Sequence, residues 1–507
     1  METLIKHLPM LPIAIPLLGA ALALIVGEKS IVRQRTIAWI CILFMLGVGV
    51  VAINHTARGY LAIYLVGNWQ APFGIALALD KLSAMMLLLT SFIAAIVLLA
   101  AQRSQLLSGT FFIPLFLLQL MGLNGAFLTA DLFNLFVFFE VLLAASYGLL
   151  LQQPDQQKTN AATHYVVLNL IGSALFLIAA SLLYGITGTL NMADLSVKIH
   201  ALPPSSRPLA VAAGFILLTV FAIKAALLPL NFWLTGTYRA AETPISALFA
   251  IMTKVGVVAI IRALTLIYPD GTFGNVVMTK ALIVIAPITM FVAACGALAA
   301  RELKTLIGWS IVGSAGIIVT AAAIGNAKAL SGALFYLIGS TLASACLFLL
   351  AAALDNRNTS NSVATTDHST IWKVTGALFL ICAMTLTSLP PFSGFIGKAV
   401  ILAGAVQHLW PTYLTTVILV SGFMMLIAYV NIGSRLLLKR DSSVNPPAGY
   451  LPMGIAVASI VSLTLFAAPI QRFTDQTAIE LRQPQIMQGN VLGKRPMDKI
   501  KKMEPAK

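Results

Sequence analysis

Apolar runs of about twenty residues, separated by short polar gaps, repeat along almost the whole chain. A helix rises 1.5 Å per residue, so about 20 apolar residues are needed to cross the roughly 30 Å hydrocarbon layer of a membrane. The pattern therefore predicts an all-α polytopic membrane protein with about fourteen transmembrane helices. The predicted spans are 8–27, 36–54, 78–101, 109–129, 131–151, 161–186, 208–234, 245–266, 276–299, 305–325, 329–354, 372–407, 411–434 and 449–470.

Prolines interrupt two of these spans in a similar way. Span seven contains Lys224 followed by Pro229, and span twelve contains Pro390 and Pro391 followed by Lys398. A proline removes a backbone hydrogen bond and clashes with the preceding turn, so both helices are expected to break inside the membrane. Paired breaks in corresponding places are typical of inverted-repeat transporters. The alternative is that prolines are simply common in membrane helices.

The two breaks are five spans apart, which predicts two inverted five-helix repeats. The chain then divides into three N-terminal helices, a first repeat of helices four to eight, a second repeat of helices nine to thirteen, and a last part with helix fourteen and a short polar tail. These four parts are residues 1–108, 109–266, 267–436 and 437–507.

The composition agrees with a membrane protein and excludes a soluble domain. Of the 507 residues 59% are hydrophobic and only 10% are charged, whereas soluble domains carry about 25% charged residues. The net charge is +15, but the cations lie in the gaps and the C-terminal tail rather than in a basic stripe, so no nucleic-acid partner is expected. The four cysteines are far apart, and no nucleotide, flavin, haem or metal motif is present, so we expect no cofactor and no metal.

Lysine and arginine are concentrated in alternate gaps. Thirteen follow odd-numbered spans and four follow even-numbered spans. Short cytoplasmic loops carry the excess, so both termini are predicted to lie outside the cytoplasm, although the basic tail from Lys494 to Lys507 disagrees. The first span could instead be a signal peptide, since Lys6 precedes it, but a second span begins within ten residues and no soluble domain follows.

Nearly all the charge lies in the polar gaps, but some charged residues lie inside the apolar runs, notably Glu140, Lys224, Lys254 and Lys398. A charge at the bilayer centre costs roughly 2.5–3.5 kcal/mol on insertion scales, so such residues usually have a function. Desolvation favours the neutral form of a lysine and a nearby carboxylate favours the charged form, so these residues could pass protons or ions. Two structural alternatives stay open. Glu140 and Lys224 could form an inert ion pair, and Lys398 could extend to the membrane surface.

Several motifs in this order resemble the antiporter-like subunits shared by Mrp-type monovalent cation/proton antiporters and the membrane arm of respiratory complex I. The resemblance covers roughly residues 75–440. The motifs are residues 129–140, 224–233, 241–256 and 390–398. One departure is Asn231, which follows a leucine where the family often has a histidine, so no titrating side chain is expected there.

The resemblance implies a role for each buried charge. Glu140 would pair with Lys224, Lys254 would be the central proton carrier, and Lys398 would be the terminal exchange point. Movement of Glu140 toward or away from Lys224 would then control the proton on Lys254.

Three further residues are secondary candidates. Asp131 starts span five, where it is either a helix cap or part of a proton entry. Lys304 would lie near the cytoplasmic end of the path, or would be an interfacial lysine. His164, near the start of span six, could join a hydrated input route, or could be a cap or interface residue.

Within this family two features favour the D-type component of the Mrp-type antiporter. Lys398 argues against a complex I paralogue that has glutamate there, and the 37 residues after span fourteen argue against the largest subunits, which continue into a long lateral helix. The resemblance implies a transporter subunit, not an enzyme, in the bacterial inner membrane, with A-, B-, C-, E-, F- and G-type subunits as partners and protons with Na+ or K+ as the transported ions. The alternatives are a proton-pumping subunit of complex I or of a membrane-bound hydrogenase, and a passive spacer.

Overall fold

The computed structural model describes residues 7–27, 30–102, 106, 109, 111–355, 368–438 and 450–493. Most of these residues are helical. The helices are α1 Leu11–Val26, α2 Ile31–Ala57, α3 Lys81–Ala101, α4 Phe112–Leu128, α5 Leu132–Leu150, α6 Gln156–Thr187, α7 Met192–His200, α8 Arg207–Ala225, α9 Phe232–Ala240, α10 Thr243–Phe249, α11 Met252–Arg262, α12 Phe273–Ala299, α13 Leu303–Ile324, α14 Ala327–Asp355, α15 His368–Thr387, α16 Ser393–Ala405, α17 Pro411–Leu438, α18 Tyr450–Leu465, α19 Ala467–Leu481 and α20 Pro484–Val491.

Short elements besides α-helices occur in the described residues, and one is a hairpin that the all-α prediction did not include. A π-helical turn, Ala263–Ile267, continues α11. Between α2 and α3 the chain forms an antiparallel hairpin of β1 Ala62–Leu65 and β2 Ala76–Leu79, with Ala62 opposite Leu79. Each strand has only four residues, too short for a pattern of alternating polar and apolar positions to stand out in the sequence.

Polar residues in the gaps set the helix ends. The carboxylates of Asp80, Asp131 and Asp155 each accept a hydrogen bond from the backbone N–H three residues later, at 2.9, 2.9 and 2.7 Å, and so cap α3, α5 and α6. Gly188 and Gly325 end α6 and α13 with φ of 67° and 74°, a left-handed conformation that glycine adopts without a steric penalty.

A helix or a pair of helices coincides with every predicted span. Within the described residues, ten helices are long and apolar enough to cross a membrane, or eleven if the bent pair α18 and α19 counts as one span. Four more apolar helices are shorter, namely α1, α4 and the two halves of span twelve. The chain is therefore a multi-span helical membrane protein, and the total of fourteen crossings and the repeats stay predictions.

Spans seven and twelve break where the prolines predicted. Helix α8 stops at Ala225 and α9 begins at Phe232, while α15 stops at Thr387 and α16 begins at Ser393. The peptide bonds that precede Pro229 and Pro391 are cis.

The backbone follows the same path through both breaks. Ala226 and Ser388 have left-handed φ of 55° and 63°, each three residues before a proline. The next residue in each case donates its N–H to the carbonyl five positions earlier, from Leu227 to Ala222 at 2.9 Å and from Leu389 to Met384 at 2.8 Å. Residues in the two breaks therefore correspond with a constant offset, in which Ala226 matches Ser388.

The segment after span fourteen is a correction to the predicted polar tail. Residues 467–491 form α19 and α20, and α19 turns by 78° from α18. Thr474, Thr477, Ala478 and Leu481 are buried at three- and four-residue spacing, so α19 packs with one face against the bundle. Its polar composition hid it from a search for long apolar runs. Residues 494–507, whose charge disagreed with the predicted orientation, lie outside the described residues.

At each end of the bundle, ion pairs join residues from different gaps between spans. At one end these gaps all follow even-numbered spans, and at the other end they all follow odd-numbered spans. At one end Lys81 pairs with Glu480 at 2.6 Å and Arg482 pairs with Asp270 at 2.5 Å. These four residues border the gaps after even-numbered spans. At the other end, Lys158 pairs with Glu242 at 2.8 Å and Arg239 with Glu302 at 3.7 Å, and these residues border gaps after odd-numbered spans. Alternating crossings of one membrane require this arrangement.

Candidate functional site

Lys224 occupies the last turn of α8, directly before the break in span seven. Its side chain is buried, and Nζ donates a hydrogen bond to Asn169 Oδ1 on α6 at 3.0 Å. Nζ also lies 5.6 Å from the centre of the Phe139 ring, within the range of a cation–π contact. The direct contacts of this ammonium group are therefore a neutral amide and an aromatic face, and Glu140 acts on it only from beyond ion-pair distance.

Glu140 does not form the expected ion pair with Lys224. The hydroxyl of Ser173 on α6 donates a hydrogen bond to Glu140 Oε1 instead. Among the ion pairs of 4.0 Å or less in the described part of the chain, none joins Glu140 to Lys224. Ser173 follows Asn169 by one helical turn, so one face of α6 binds both groups and holds them separately. The sequence could not show this, because both partners on α6 are neutral residues.

Lys254 on α11 is 1% exposed and makes a single polar contact. Its Nζ donates to Ser314 Oγ on α13 at 2.6 Å, and this hydroxyl in turn donates to the Ile311 carbonyl at 2.8 Å. Within the described residues its hydrogen bonds and ion pairs include no carboxylate, so its side-chain partner is a neutral hydroxyl.

Gly256 brings the Lys224 and Lys254 helices into direct backbone contact. A β carbon at this position would lie 2.7 Å from the Lys224 carbonyl carbon and 2.9 Å from Lys224 Cβ. Only glycine at position 256 therefore lets α8 and α11 approach each other this closely. Lys254 precedes Gly256 by two residues, so both lysines lie within one helical turn of the contact.

Lys398 lies on α16 and lines a cavity of about 30 Å³. Ser314, the partner of Lys254, lines the same cavity, as does Ser421, whose buried hydroxyl has no hydrogen-bond partner in the described part of the chain. A β carbon on Gly422 would be 3.0 Å from Lys398 Nζ, so the ammonium group of this half-buried residue packs against α17. A water molecule needs about 10–15 Å³, so this cavity is large enough to hold water between the two lysines.

The secondary candidates have different surroundings. Asp131 caps α5 through the Asn134 amide, which confirms the cap interpretation. His164 is exposed on the third turn of α6, and Asp155 caps that helix, so the cap interpretation of His164 is wrong. Lys304 is half-buried in the first turn of α13. Asn231 is buried beside the break in span seven.

An ion pair that the sequence analysis missed lies at one end of the Lys254 helix. Arg262 donates two hydrogen bonds to the Asp80 carboxylate, at 2.6 and 2.7 Å, and a third to Ser83 Oγ at 3.1 Å. Arg262 falls inside the predicted span 245–266, so its position alone could have drawn attention to it. The described residues contain no group of three His, Cys, Asp or Glu side chains that could hold a metal ion.

Comparison with known proteins identifies relatives over nearly the whole length. The family model described as NADH:quinone oxidoreductase/Mrp antiporter, TM matches residues 129–424, more than half of the chain. The D-type component of a probable K(+)/H(+) antiporter of Rhizobium meliloti (strain 1021) is 37% identical, and the match covers 95% of this chain and 96% of the relative. The D-type component of a Na(+)/H(+) antiporter of Alkalihalophilus pseudofirmus is 34% identical, over 96% and 99%. A chain in the structure of the Mrp complex from Dietzia sp. DQ12-45-1b superimposes with a TM-score of 0.85 at 25% identity, over 97% of this chain and 100% of that chain.

Proposed function

Because the chain belongs to the family of transmembrane subunits shared by NADH:quinone oxidoreductase and the Mrp antiporters, we propose that it translocates protons within a multi-subunit monovalent cation/proton antiporter. The two sequence relatives described above, at 37% and 34% identity over almost the whole of both chains, are D-type antiporter components, which favours this branch over a complex I subunit. It is a transporter subunit rather than an enzyme. Its partners would be the A-, B-, C-, E-, F- and G-type subunits, its transported ions protons and Na+ or K+, and its location the bacterial inner membrane.

The observation that carries the proposal is a succession of lysines with neutral partners through the centre of the bundle. Lys224 binds Asn169, Lys254 binds Ser314, and Lys398 shares a cavity with Ser314. A structural lysine would be expected to have a carboxylate beside it, because an unpaired buried charge costs several kcal/mol. Neutral partners instead let each lysine exist with or without its proton, as a carrier requires.

Glu140 would act as the control of this path. In the present arrangement Ser173 holds the carboxylate away from Lys224. If Glu140 moved to Lys224, the carboxylate would hold the proton on that lysine, and its return to Ser173 would favour transfer toward Lys254. Asp131 and Lys304 would have supporting roles at the ends of the path, and exposed His164 would contribute only through the cytoplasmic surface.

The test is cation/proton exchange in everted vesicles from antiporter-deficient cells that carry the complete operon. Lys254→Ala should abolish exchange while native gels still show the full complex, since alanine removes the carrier and leaves the helix intact. The matched control is Lys280→Ala, because Lys280 lies in the next span but is exposed. It should exchange like the wild type.

Undiminished exchange by Lys254→Ala in an intact complex would contradict the proposal and make this lysine structural, as in a spacer subunit. Absence of exchange by the wild type, together with proton pumping driven by NADH, would instead favour the complex I alternative.

A further inference from the structure

The two helix breaks share a backbone path but differ in how their polar groups are satisfied. In span seven the indole N–H of Trp233 donates to the Ile223 carbonyl at 3.0 Å. With the offset that matches Ala226 to Ser388, the counterpart of Trp233 is Phe395, whose side chain has no N–H to donate. In span seven a side chain from the second half of the span therefore satisfies a backbone carbonyl of the first half, and the counterpart side chain in span twelve cannot do so.

Two buried hydroxyls lie at the span-twelve break, at Ser388 (8% exposed) and Ser393 (0% exposed). Within the described residues Ser393 Oγ has no hydrogen-bond partner, and Ser388 Oγ interacts with the Tyr336 hydroxyl but forms no hydrogen bond of normal geometry. Their counterparts in span seven are Ala226 and Asn231, so the first break has no such pair of hydroxyls. Leaving a buried hydroxyl unpaired costs about 1–3 kcal/mol, so these oxygens are suited to bind a further partner.

Free carbonyls lie beside these hydroxyls. The helical partners of the Leu386 and Thr387 carbonyls would be the N–H groups of residues 390 and 391, but both are prolines and have none. These carbonyls form the last turn of α15, where the helix dipole favours a positive charge. Ser388 is held here in a left-handed conformation, with φ of 63°, which a serine adopts only when its surroundings impose it.

A glycine on α14 locates one of these oxygens beside the end of α15. A β carbon on Gly339 of α14 would lie 2.6 Å from Ser393 Oγ and 3.8 Å from Thr385 Cγ2, so the hydroxyl, α14 and the end of α15 meet at one place. The Thr385 carbonyl also accepts the Ser388 N–H at 3.3 Å. Leu386, which lies between Thr385 and Ser388 in the sequence, lines the same cavity as Lys398.

We propose that the break in span twelve is a binding site for a partly dehydrated Na+ or K+ ion, with the Ser388 and Ser393 hydroxyls and the Leu386 and Thr387 carbonyls as ligands. Hydroxyl and carbonyl oxygens are hard ligands suited to such ions, and unwound backbone in membrane helices is known to supply them. The inference rests on the proposed exchange function and adds that this chain itself binds the transported cation.

Lys398 couples this site to the proton path. It is the only charged residue among the described residues that line the cavity, and Tyr336 is the only other titratable one. A protonated Lys398 repels a cation in the break, and a bound cation favours loss of that proton. Occupancy by one ion therefore opposes occupancy by the other, which exchange of a cation for a proton requires.

The experiment measures the half-saturating Na+ and K+ concentrations of exchange by the whole complex in everted vesicles. Ser388→Gly removes one hydroxyl and keeps the left-handed backbone, and Ser393→Ala removes the other. Each should raise the half-saturating concentration about tenfold with the maximal rate largely kept, because one ligand of a charged guest is lost. The matched control is Ser344→Ala, since that buried hydroxyl is bonded to its own helix at Ser340, and it should change nothing.

Each outcome separates the inference from the proposed function. If the wild type exchanges but both variants keep the wild-type half-saturating concentration, no cation binds here and the inference is wrong, while the exchange function stands. A lower maximal rate at an unchanged half-saturating concentration would assign the hydroxyls to water and also overturn the inference. Absence of exchange by the wild type would instead refute the proposed function. If the complex that carries Ser393→Ala fails to assemble, the half-saturating concentration of the Ser388→Gly complex alone decides between these outcomes, because glycine fits the backbone at that position.

Discussion

Breaking the ion pair between Arg262 and Asp80 should destabilise the fold strongly, and removing both charges should restore most of the loss. The side chains are 9% and 14% exposed and are joined by two hydrogen bonds of 2.6 and 2.7 Å. Loss of one partner from such a pair typically costs about 3–5 kcal/mol, because the other charge is left desolvated. Arg262→Met is therefore expected to lower the free energy of unfolding by that amount.

The rescue variant is Arg262→Met combined with Asp80→Asn. The amide keeps an oxygen that can cap α3 through the Ser83 N–H, at 2.9 Å in the wild type, but carries no charge. Replacing a buried pair by neutral groups is often close to neutral in stability, so the double variant should be much more stable than Arg262→Met alone.

Buried thiols provide the assay. A thiol-reactive dye reports thermal unfolding in detergent when buried cysteines become accessible, and Cys295→Ser removes the exposed one. The buried cysteines are Cys41, Cys346 and Cys382. At roughly 2 °C per kcal/mol, Arg262→Met should lower the midpoint by about 6 °C or more. An unchanged midpoint for Arg262→Met, or a double variant no better than the single one, would refute the reasoning.

Two further predictions follow from the span-seven region. Gly256→Ala should force α8 and α11 apart, because the new β carbon meets backbone, and should abolish exchange at an unchanged level of assembled complex. The control is Gly185→Ala, whose β carbon meets nothing within 4 Å and which should exchange normally. Normal exchange by Gly256→Ala would contradict the close approach of the two helices. Trp233→Phe keeps the ring stacked on Tyr165 but removes the hydrogen bond to the Ile223 carbonyl, so it should cost about 1–3 kcal/mol in the same thermal assay, and no loss would show that the carbonyl needs no partner.

Helices and their breaks could be predicted because they follow from local rules. About twenty apolar residues make a span, and prolines such as Pro229 and Pro391 interrupt it wherever the rest of the chain lies. Partners could not be predicted in the same way, since the Ser173 bond to Glu140 depends on how α5 and α6 pack. The hairpin and α19 were missed for a different reason. The two strands are short and α19 is polar, so a search for long apolar runs does not find them.

The last two helices have a consequence for how the protein is made. α19 and α20 bind Lys81, Ser196, Asp270 and Ser331, across sequence separations of 399, 292, 212 and 144 residues. A ribosome adds residues in order, so all four contacts must wait until residues 475–488 have been made. Earlier helices can insert into the membrane one after another, but that end of the bundle closes only when residues 467–491 have emerged. A chain that is truncated before these helices, or that carries a bulky fusion there, therefore exposes the surface that they would cover, before any partner subunit binds it.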